Sequence, residues 1–314
     1  MALKNNPVLM DEYIMRINKV QDFIDQNLSS ELTLQQLSEV ANFSAFHFHR
    51  IFTSIAGEPL FKYIQRLRLE KAASLLASNR KKSISEIALD CGFSSQACFS
   101  RAFRSQFGKS AGQFRSDTLC LNSKECKMES NPSKENDELL LYNETEPGEA
   151  AVAPTDITVT EITPFTVAYI RHTGPYKKDE DLFARLFRKL YKWADARDLT
   201  SLPGARWLTI YHCDPGVTDD NNLRISVCLT VPKETPVDGV VGKMDVLGGK
   251  YAIARFILRS DQYQQAWDYL FYNWLINSGY QPDDKNSFEL YPYEEDRRQD
   301  GGKAVHIYLP VTPL

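Results

Sequence analysis

Two segments of this sequence share one pattern of polar caps, turn residues and aromatic residues. The first, LTLQQLSEVANFSAFHFHRIF, covers residues 32–52, and the second, SISEIALDCGFSSQACFSRAF, covers residues 83–103. A repeat of this kind either stacks into a solenoid or presents one functional element twice at a set separation. The choice between these arrangements constrains both the fold and the function of the first third of the chain.

Each copy carries the signals of two short helices joined by a tight turn. Thr33 and Ser83 are each followed three residues later by a glutamine or glutamate, which is the spacing of a helix-capping box. Asn42 and Gly92 then tolerate the left-handed conformation that a tight corner requires. A serine after each turn can cap a second helix. The predicted helix-turn-helix motifs cover residues 32–57 and 83–108.

The second helix of each motif has an aromatic face and a different face that is polar and basic. Phe48 and Phe52 share one face by their spacing, as do Phe99 and Phe103, and these aromatic stripes are predicted to be core. The polar faces include Arg50 and Arg101. In a DNA-binding helix-turn-helix, this face of the second helix lies in the major groove. An ordinary helical corner with solvated arginines has the same pattern, so one copy alone does not indicate DNA binding.

The segment between the motifs favours the DNA-binding interpretation. Its helical pattern runs from Pro59 to Ser78, and such a helix is about 28 Å long. Successive major grooves on one face of DNA recur at roughly 34 Å, so this connector can hold two recognition helices in adjacent grooves. A solenoid would need more repeats and shorter connections. The repeat is therefore interpreted as two DNA readers within one monomer.

Charge and composition divide the chain of 314 residues, whose net charge is −4. Residues 1–115 carry 15 lysines and arginines against 10 acidic residues, whereas residues 116–155 carry 3 against 9. Because residues 116–155 mix Ser, Asn, Glu and Pro without periodicity, they are predicted to be an acidic linker. The linker would separate an all-α DNA-binding domain, 8–115, from a second domain, 156–314. The basic excess of the first block is too small to indicate a polyanion partner by itself.

The second domain has strand-like runs interrupted by two amphipathic helical patterns, at 179–197 and 261–278. A strand, a helix and two strands beginning with FTVAYIRHTGPY are echoed by a second set beginning with KYAIARFILRSDQY. The sequence therefore predicts an α+β domain of duplicated strand-helix-strand-strand units. These would form antiparallel sheets with helices on one side and leave a surface between the halves.

Residues 20–115 resemble the tandem helix-turn-helix domain of AraC-family transcription regulators. The resemblance rests on ANFSAFHFHRIFTSIAGEPLFKYIQRLRLEKAASLLA and on ISEIALDCGFSSQACFSRAFRSQFGKSAGQFR. It implies double-stranded DNA, bound in two adjacent major grooves, as one partner and RNA polymerase as another. The base contacts that it implies by position are Phe46, His49, Arg50, Gln96, Ala97, Cys98 and Arg101. Candidate phosphate contacts, each of which could equally be a solvated charge, are Arg66, Arg68, Lys81, Lys82, Arg104, Lys109 and Arg115.

Residues 156–314 resemble a GyrI-like domain, through RHTGPYKKDEDLF, GGKYAIARF, YLFYNWLINSGY and SFELYPYEED. The two resemblances together match the arrangement of Rob-type regulators. They imply a small amphipathic or aromatic effector, bound where a strand glutamate enters an aromatic pocket, and Glu289 is the matching residue. The candidate pocket walls, each of which could instead be core, are Tyr169, Trp207, Tyr211, Tyr291 and Trp274. For Trp274, which lies on the apolar stripe of a predicted helix, core is the preferred alternative. An edge-strand glutamate facing water is the alternative for Glu289.

The preferred function is a transcription regulator, either activator or repressor, and not an enzyme. Some free-standing GyrI-like proteins are hydrolases, and in that alternative Glu289 would be a general base paired with Tyr291 or Tyr169. A second alternative is a drug-sequestering domain without regulatory coupling. Binding that changes DNA affinity would distinguish regulation from sequestration.

No catalytic residue, metal or cofactor is predicted. The GKSAG stretch at 108–112 matches the letters of a nucleophile elbow, but it follows a predicted recognition helix instead of a strand. His47 and His49 lie on different helix faces and cannot share a metal ion. The six cysteines lack a C-x-x-C pair, and no segment has the length of a signal peptide core or a membrane span. We therefore expect a cytoplasmic protein with no membrane partner.

Overall fold

The computed structural model describes residues 7–79, 81–121, 152–177, 179–292 and 302–314. The first two ranges form a helical domain, and the last three form a C-terminal domain built on a sheet. The helices of the helical domain are α1 (Pro7–Gln26), α2 (Leu34–Val40), α3 (Ala45–Ala56), α4 (Leu60–Ser78), α5 (Ile84–Asp90), α6 (Gln96–Phe107) and α7 (Ala111–Leu121). The predicted tandem helix-turn-helix architecture is confirmed.

The capping residues and turn residues act as their sequence pattern predicts. The Thr33 hydroxyl accepts a hydrogen bond from the backbone of α2, and Ser83 forms a reciprocal capping box with Glu86 at the start of α5. Asn42 and Gly92 have φ values of 51° and 81°, in the left-handed region that these corners need. Each motif therefore turns from its first helix to its second within a few residues.

The long helix α4 belongs to two hydrophobic cores at once. Its first half, including Tyr63, packs with α1 and with the aromatic face of α3, whose buried residues include Phe48. Its second half, including Leu76, packs with Phe99 and the rest of the aromatic face of α6. Because side chains of α4 are packed into both cores, α4 is a stiff connection between the two motifs.

The C-terminal domain contains one antiparallel sheet with helices packed on it. Its strands are β1 (Asp156–Ile162), β2 (Phe165–Thr173), β3 (Trp207–Tyr211), β4 (Arg224–Thr230), β5 (Gly242–Val246), β6 (Gly249–Leu258), β7 (Tyr280–Pro282), β8 (Ser287–Tyr291) and β9 (Lys303–Pro313). The strand order is β1-β6-β9-β8-β3-β4-β2-β5, and β7 pairs with β9. Among these, β5 and β7 were not predicted from the sequence.

The duplication predicted from the sequence is visible in the order of the strands. The first unit is β2, α8 (Glu180–Asp195), β3 and β4, and the second is β6, α9 (Tyr263–Asp268), β8 and β9. Within each unit the strands lie in the same relative order, and β3 pairs with β8 so that Thr209 is opposite Glu289. The units therefore join into a single sheet through β3 and β8. Pairing satisfies the backbone groups that two separate edge strands would leave open.

The second amphipathic pattern, 261–278, is not one regular helix. After α9 the chain forms a π-helical segment, Tyr269–Trp274, and then a 3₁₀ turn, Leu275–Asn277. A π turn contains more residues than an α turn and so rotates the side chains that follow it. Trp267, in α9 before this segment, faces the sheet at β8. Trp274, the last residue of the π-helical segment, stacks on Tyr280 with ring centroids 6.3 Å apart.

Helix α7 and strand β1 flank the predicted linker. Helix α7 ends at Leu121, and β1 begins at Asp156. Residues 122–151, the larger part of the predicted linker, lie outside the described residues. None of the helices described here is long and apolar enough to span a membrane.

Candidate DNA-reading helices and effector site

The residues predicted to contact DNA lie on α3 and α6, and all of them are exposed. They are Phe46, His49, Arg50, Gln96, Ala97, Cys98, Arg101 and Arg104. Phe46 is 74% exposed, although a phenylalanine of this size usually packs inside a protein. Among the described residues, Arg50 and Arg101 are both left exposed to solvent by the C-terminal domain.

The first turn of α6 holds Gln96 and Cys98 in defined contacts. The side-chain oxygen of Gln96 accepts a hydrogen bond of 2.8 Å from the Ser85 hydroxyl on α5. Hydrogen bonds from the Ser95 and Arg101 side chains lower the pKa of the Cys98 thiol. The N-terminal end of α6 is thus tied to its own motif and carries an exposed thiol of raised acidity.

Two of the candidate phosphate contacts are committed to contacts inside the protein. Arg66 is buried and forms ion pairs with Glu58 at 2.5 Å and Glu70 at 3.0 Å. Arg68 donates to the carbonyl oxygens of Leu28 and Ser30. The expectation that Arg66 contacts phosphate is therefore corrected, because Arg66 is buried and holds α4 to Glu58. Arg68 is only partly buried, and its contact with phosphate stays a prediction. Sequence periodicity could not show the burial of Arg66, because both arginines read equally well as surface charges.

Glu289 lies on β8 and is only 1% exposed. One carboxylate oxygen accepts a 2.7 Å hydrogen bond from the indole nitrogen of Trp267, and the other accepts a 2.8 Å hydrogen bond from the Tyr291 hydroxyl. Tyr211 also hydrogen-bonds to it. We call these four residues the Glu289 cluster. The alternative of a glutamate facing water is excluded by this burial.

The electrostatic environment of Glu289 is unusual for a carboxylate. Burial raises its pKa, and the hydrogen bonds from Trp267, Tyr291 and Tyr211 partly offset this effect. Among the residues described, no lysine, arginine or histidine forms an ion pair with Glu289. The site thus offers a desolvated carboxylate whose donors are all neutral.

An aromatic groove lies beside the Glu289 cluster. It has a volume of about 200 Å³ and is lined by Phe187, Arg188, Tyr191 and Trp207. The Phe187 ring contacts both Trp207, with centroids 6.0 Å apart, and Tyr291 of the cluster, with centroids 5.7 Å apart. Phe187 therefore stands between the groove and the residues that surround Glu289.

Tyr169 does not belong to this site. Across the sheet, Tyr169 lies in register with Cys228 and Leu208. Glu289 lies in register with Thr209, the residue next to Leu208 on β3. Because side chains alternate along a strand, Tyr169 projects from the other face of the sheet. The expectation that Tyr169 lines the pocket, or pairs with Glu289 in catalysis, is therefore corrected. Of the predicted pocket residues, Tyr211, Tyr291 and Trp207 lie on the same face as Glu289.

The sequence matches two families of domains along its length. Residues 155–312, half of the chain, match the GyrI-like small molecule binding domain. Residues 37–117 match a helix-turn-helix domain of the AraC type. The chain belongs to the AraC-type proteins with a C-terminal GyrI-like domain.

Relatives of this AraC-type protein match one domain each. The probable transcriptional regulator LumQ of Photobacterium leiognathi is 36% identical over 116 residues, which is 36% of this chain and 46% of LumQ. The HTH-type transcriptional activator AarP of Providencia stuartii is 34% identical over 103 residues, covering 32% of this chain and 76% of AarP. The DNA gyrase inhibitor of Escherichia coli strain K12 is 27% identical over 152 residues, covering 47% of this chain and 91% of that protein. LumQ is named a probable transcriptional regulator and AarP a transcriptional activator.

Two site residues of the GyrI-like domain, Trp267 and Phe187, were missed in the sequence analysis. The signal for them was the duplication itself, because α8 and α9 occupy equivalent places in the two units. Helices that pack on one face of a sheet cover the side chains of that face. Aromatic residues of α8 and α9 could therefore have been predicted to lie near Glu289. In the described part of the AraC-type chain, no group of three or more His, Cys, Asp or Glu residues could hold a metal ion.

Proposed function

We propose that this chain is a sequence-specific transcription regulator that acts on DNA in the cytoplasm. It reads two successive major grooves of double-stranded DNA with α3 and α6, and RNA polymerase is its proposed protein partner. The observation that carries this proposal is the pair of exposed, basic helix faces on two motifs that share one long helix.

The length and stiffness of α4 support simultaneous reading of two grooves. The helix has 19 residues, which correspond to about 28 Å at about 1.5 Å per residue. Both motif cores include side chains of α4, so neither motif can swing freely about it. The helix is therefore of the right length and rigidity to present recognition helices to grooves roughly 34 Å apart.

The exposed side chains have the chemistry of base readers. Arg50 and Arg101 can each donate two hydrogen bonds to guanine, and Gln96 can pair with adenine. Phe46 and Ala97 offer apolar surface to thymine methyl groups. His49 and Cys98 add one polar contact each, while Arg104 is assigned to phosphate, which positions the protein without reading sequence.

Selection of binding sites from a library of random duplexes tests this proposal. We expect two enriched sequence blocks separated by about one helical turn. Arg101→Ala should weaken discrimination at one base pair of one block by about 1–3 kcal/mol. The matched control Arg104→Ala should weaken all sequences alike and reduce the salt dependence of binding. If the wild-type chain enriches no sequence over bulk DNA, the proposal is wrong.

The Glu289 cluster supports an aromatic cation as the effector. A buried carboxylate without a cationic partner gains most from a ligand that brings positive charge into the same dry environment. The rings of Trp267, Tyr211 and Tyr291 surround it, and aromatic faces attract cations. A neutral ligand of the same shape would gain only the burial of its apolar surface.

Access to Glu289 requires a side chain to move, because the carboxylate is almost fully buried. Phe187 is the side chain that contacts both the open groove and Tyr291. Rotation of its ring would join the groove to the Glu289 cluster without disturbing a strand. The groove is therefore assigned as the entrance for the effector.

A matched pair of probes tests the charge of the effector. Titration of 1-methylquinolinium and of its neutral analogue 1-methylnaphthalene would be followed by tryptophan fluorescence. We expect the cation to bind more tightly, and Glu289→Gln to remove most of that preference. Equal affinity for the two probes in the wild-type chain would contradict a cation site. A ligand-induced change in DNA affinity would separate regulation from simple sequestration.

A further inference from the structure

The two domains of this chain are joined by buried ion pairs. Arg224 on β4 is fully buried, and its two terminal nitrogens donate to the two carboxylate oxygens of Asp25 on α1, at 2.9 and 3.1 Å. The guanidinium group also lies 5.7 Å from the ring centroid of Tyr63 on α4. With one side chain the C-terminal domain thus contacts α1 and α4, two helices that pack in the same hydrophobic core as α3 of the first motif.

A second pair lies beside the first. Arg171 on β2 donates to one carboxylate oxygen of Asp22 at 2.6 Å, and the Tyr169 hydroxyl donates to the other at 2.5 Å. Arg171 also contacts Gln21 at 3.5 Å. Both carboxylate oxygens of Asp22 are therefore occupied by groups of the C-terminal domain. This is the actual role of Tyr169, which the sequence had assigned to the effector pocket.

The C-terminal domain also reaches the second motif. Val217, in the loop between β3 and β4, packs against the core that contains Phe99 and Phe103. Asp284, before β8, forms an ion pair of 2.5 Å with Lys71 of α4. The same domain therefore contacts α1, which packs against the first motif, the core of the second motif and the helix between the motifs.

The contacts with the helical domain and the Glu289 cluster occupy opposite faces of the same strands. Arg224 is followed by Ile225, which pairs with Tyr211 of the Glu289 cluster. Since neighbouring residues of a strand point to opposite faces, Arg224 faces the helical domain while Ile225 and Tyr211 face the effector side. A displacement of β3 or β4 therefore moves side chains on both faces of the sheet together.

We propose that Arg171, Arg224 and Val217 are positioning residues for DNA recognition. This inference rests on the proposed function, and it assigns to the C-terminal domain a part in DNA reading itself. By holding both motifs, these residues fix the angle and separation of α3 and α6, and hence the spacing of the two half-sites. Helix α4 sets the distance, and the C-terminal domain removes the remaining freedom of rotation.

The energetics of buried ion pairs allow positioning to be separated from stability. Removing one partner leaves a buried charge unpaired and is strongly destabilising, whereas replacing both by apolar residues of similar size is often neutral. A double replacement of Asp25 and Arg224 therefore keeps the fold while it removes the directional hydrogen bonds. The variant thus loses the bidentate contact between Arg224 and Asp25, while the contacts of Asp22, Lys71 and Val217 stay in place.

The experiment compares site selection from random duplexes by the full-length wild type and by Asp25→Leu/Arg224→Met. Each protein's discrimination between its best half-site spacing and spacings changed by one base pair is then measured. We expect the double variant to remain folded and to lose about tenfold of this discrimination. Its preferred bases within each block should be unchanged, since α3 and α6 are intact.

Two controls complete the test. Arg197→Met/Asp238→Asn removes an ion pair of 2.7 Å within the C-terminal domain, away from the interface, and should leave the spacing preference intact. Val217→Ser changes the contact with the second motif and leaves both buried ion pairs intact. It should therefore weaken the preference for one half-site spacing, as the double variant does, and it tests the inference even if the double variant fails to fold.

The possible outcomes distinguish this inference from the proposed function. If the wild type selects two blocks at a fixed spacing and the folded variants keep that spacing preference, the inference is overturned while the proposed function stands. If the wild type selects no sequence, both fail. If the wild type keeps its spacing preference and the variants lose theirs, the inference is supported. An ion pair that only stabilised the fold would leave the preferred spacing unchanged when equal amounts of folded protein are compared.

Discussion

Arg224 and Asp25 lie 199 residues apart in the chain and form a bidentate ion pair across the domain interface. The side chain of Arg224 is 2% exposed and that of Asp25 is 25% exposed. The pair is therefore largely removed from water, and each charge depends on the other for compensation.

The first prediction concerns the stability of this pair. Asp25→Leu or Arg224→Met alone should lower the free energy of unfolding by about 3–5 kcal/mol, because either change leaves a buried charge unpaired. The double variant should lose less than either single variant. Urea unfolding of the wild type, both single variants and the double variant completes the cycle. Costs that simply add would show that the two residues are not coupled.

The sequence was sufficient for the tandem motif but not for the interface. Capping residues, turn residues and aromatic stripes are local signals, and they predicted both motifs and the faces of α3 and α6. The role of Tyr169 depends on which face of β2 meets the helical domain, and its partner Asp22 is 147 residues away. Trp267 was missed because its hydrogen-bond partner Glu289 lies 22 residues further along the chain, on a strand whose position relative to α9 depends on the tertiary fold.

The second prediction concerns the turn of the second motif. Gly92 has a φ of 81°, and a Cβ atom there would lie 2.9 Å from the Leu28 carbonyl oxygen and 2.9 Å from the Arg68 side chain. Arg68 cannot easily withdraw, because it donates to Leu28 and Ser30. Gly92→Ala should therefore cost clearly more than the roughly 1–2 kcal/mol of left-handed backbone strain alone.

Gly108 is the matched control for Gly92. Its φ is 72°, and nothing lies within 4 Å of the position that a Cβ would occupy. Gly108→Ala should show the backbone strain without the steric clash. Thermal unfolding of both variants measures the difference, and equal losses would show that Arg68 and Leu28 yield easily to the added methyl group.

The third prediction concerns the pH dependence of stability. Burial raises the pKa of Glu289 above its ordinary value of 4.5. Between 4.5 and the raised value, the folded chain keeps a proton that the unfolded chain releases, so the free energy of unfolding falls as pH rises. Glu289→Gln cannot titrate and should lack this part of the decline. Urea unfolding of both proteins across this range measures the slopes, and identical slopes would contradict the effect of burial on Glu289.

The fourth prediction uses the difference between the thiols of two cysteines. Burial raises the pKa of Cys91 to about 12, whereas hydrogen bonds from Ser95 and Arg101 lower the pKa of the exposed Cys98. Because the thiolate is the reactive form, iodoacetamide at neutral pH should label Cys98 well before Cys91. Peptide mapping by mass spectrometry measures the order of labelling.

Alkylation of Cys98 places a bulky group on the face of α6 that is proposed to enter the major groove. The labelled wild type should therefore lose affinity for its selected duplex, whereas Cys98→Ser treated in the same way should keep it. Ser95→Ala should slow the labelling, since it removes the largest contribution to the lowered pKa of the thiol. Full DNA affinity after complete labelling of Cys98 would show that this part of α6 does not approach the bases, and the assignment of Gln96, Ala97 and Cys98 as base readers would then be wrong.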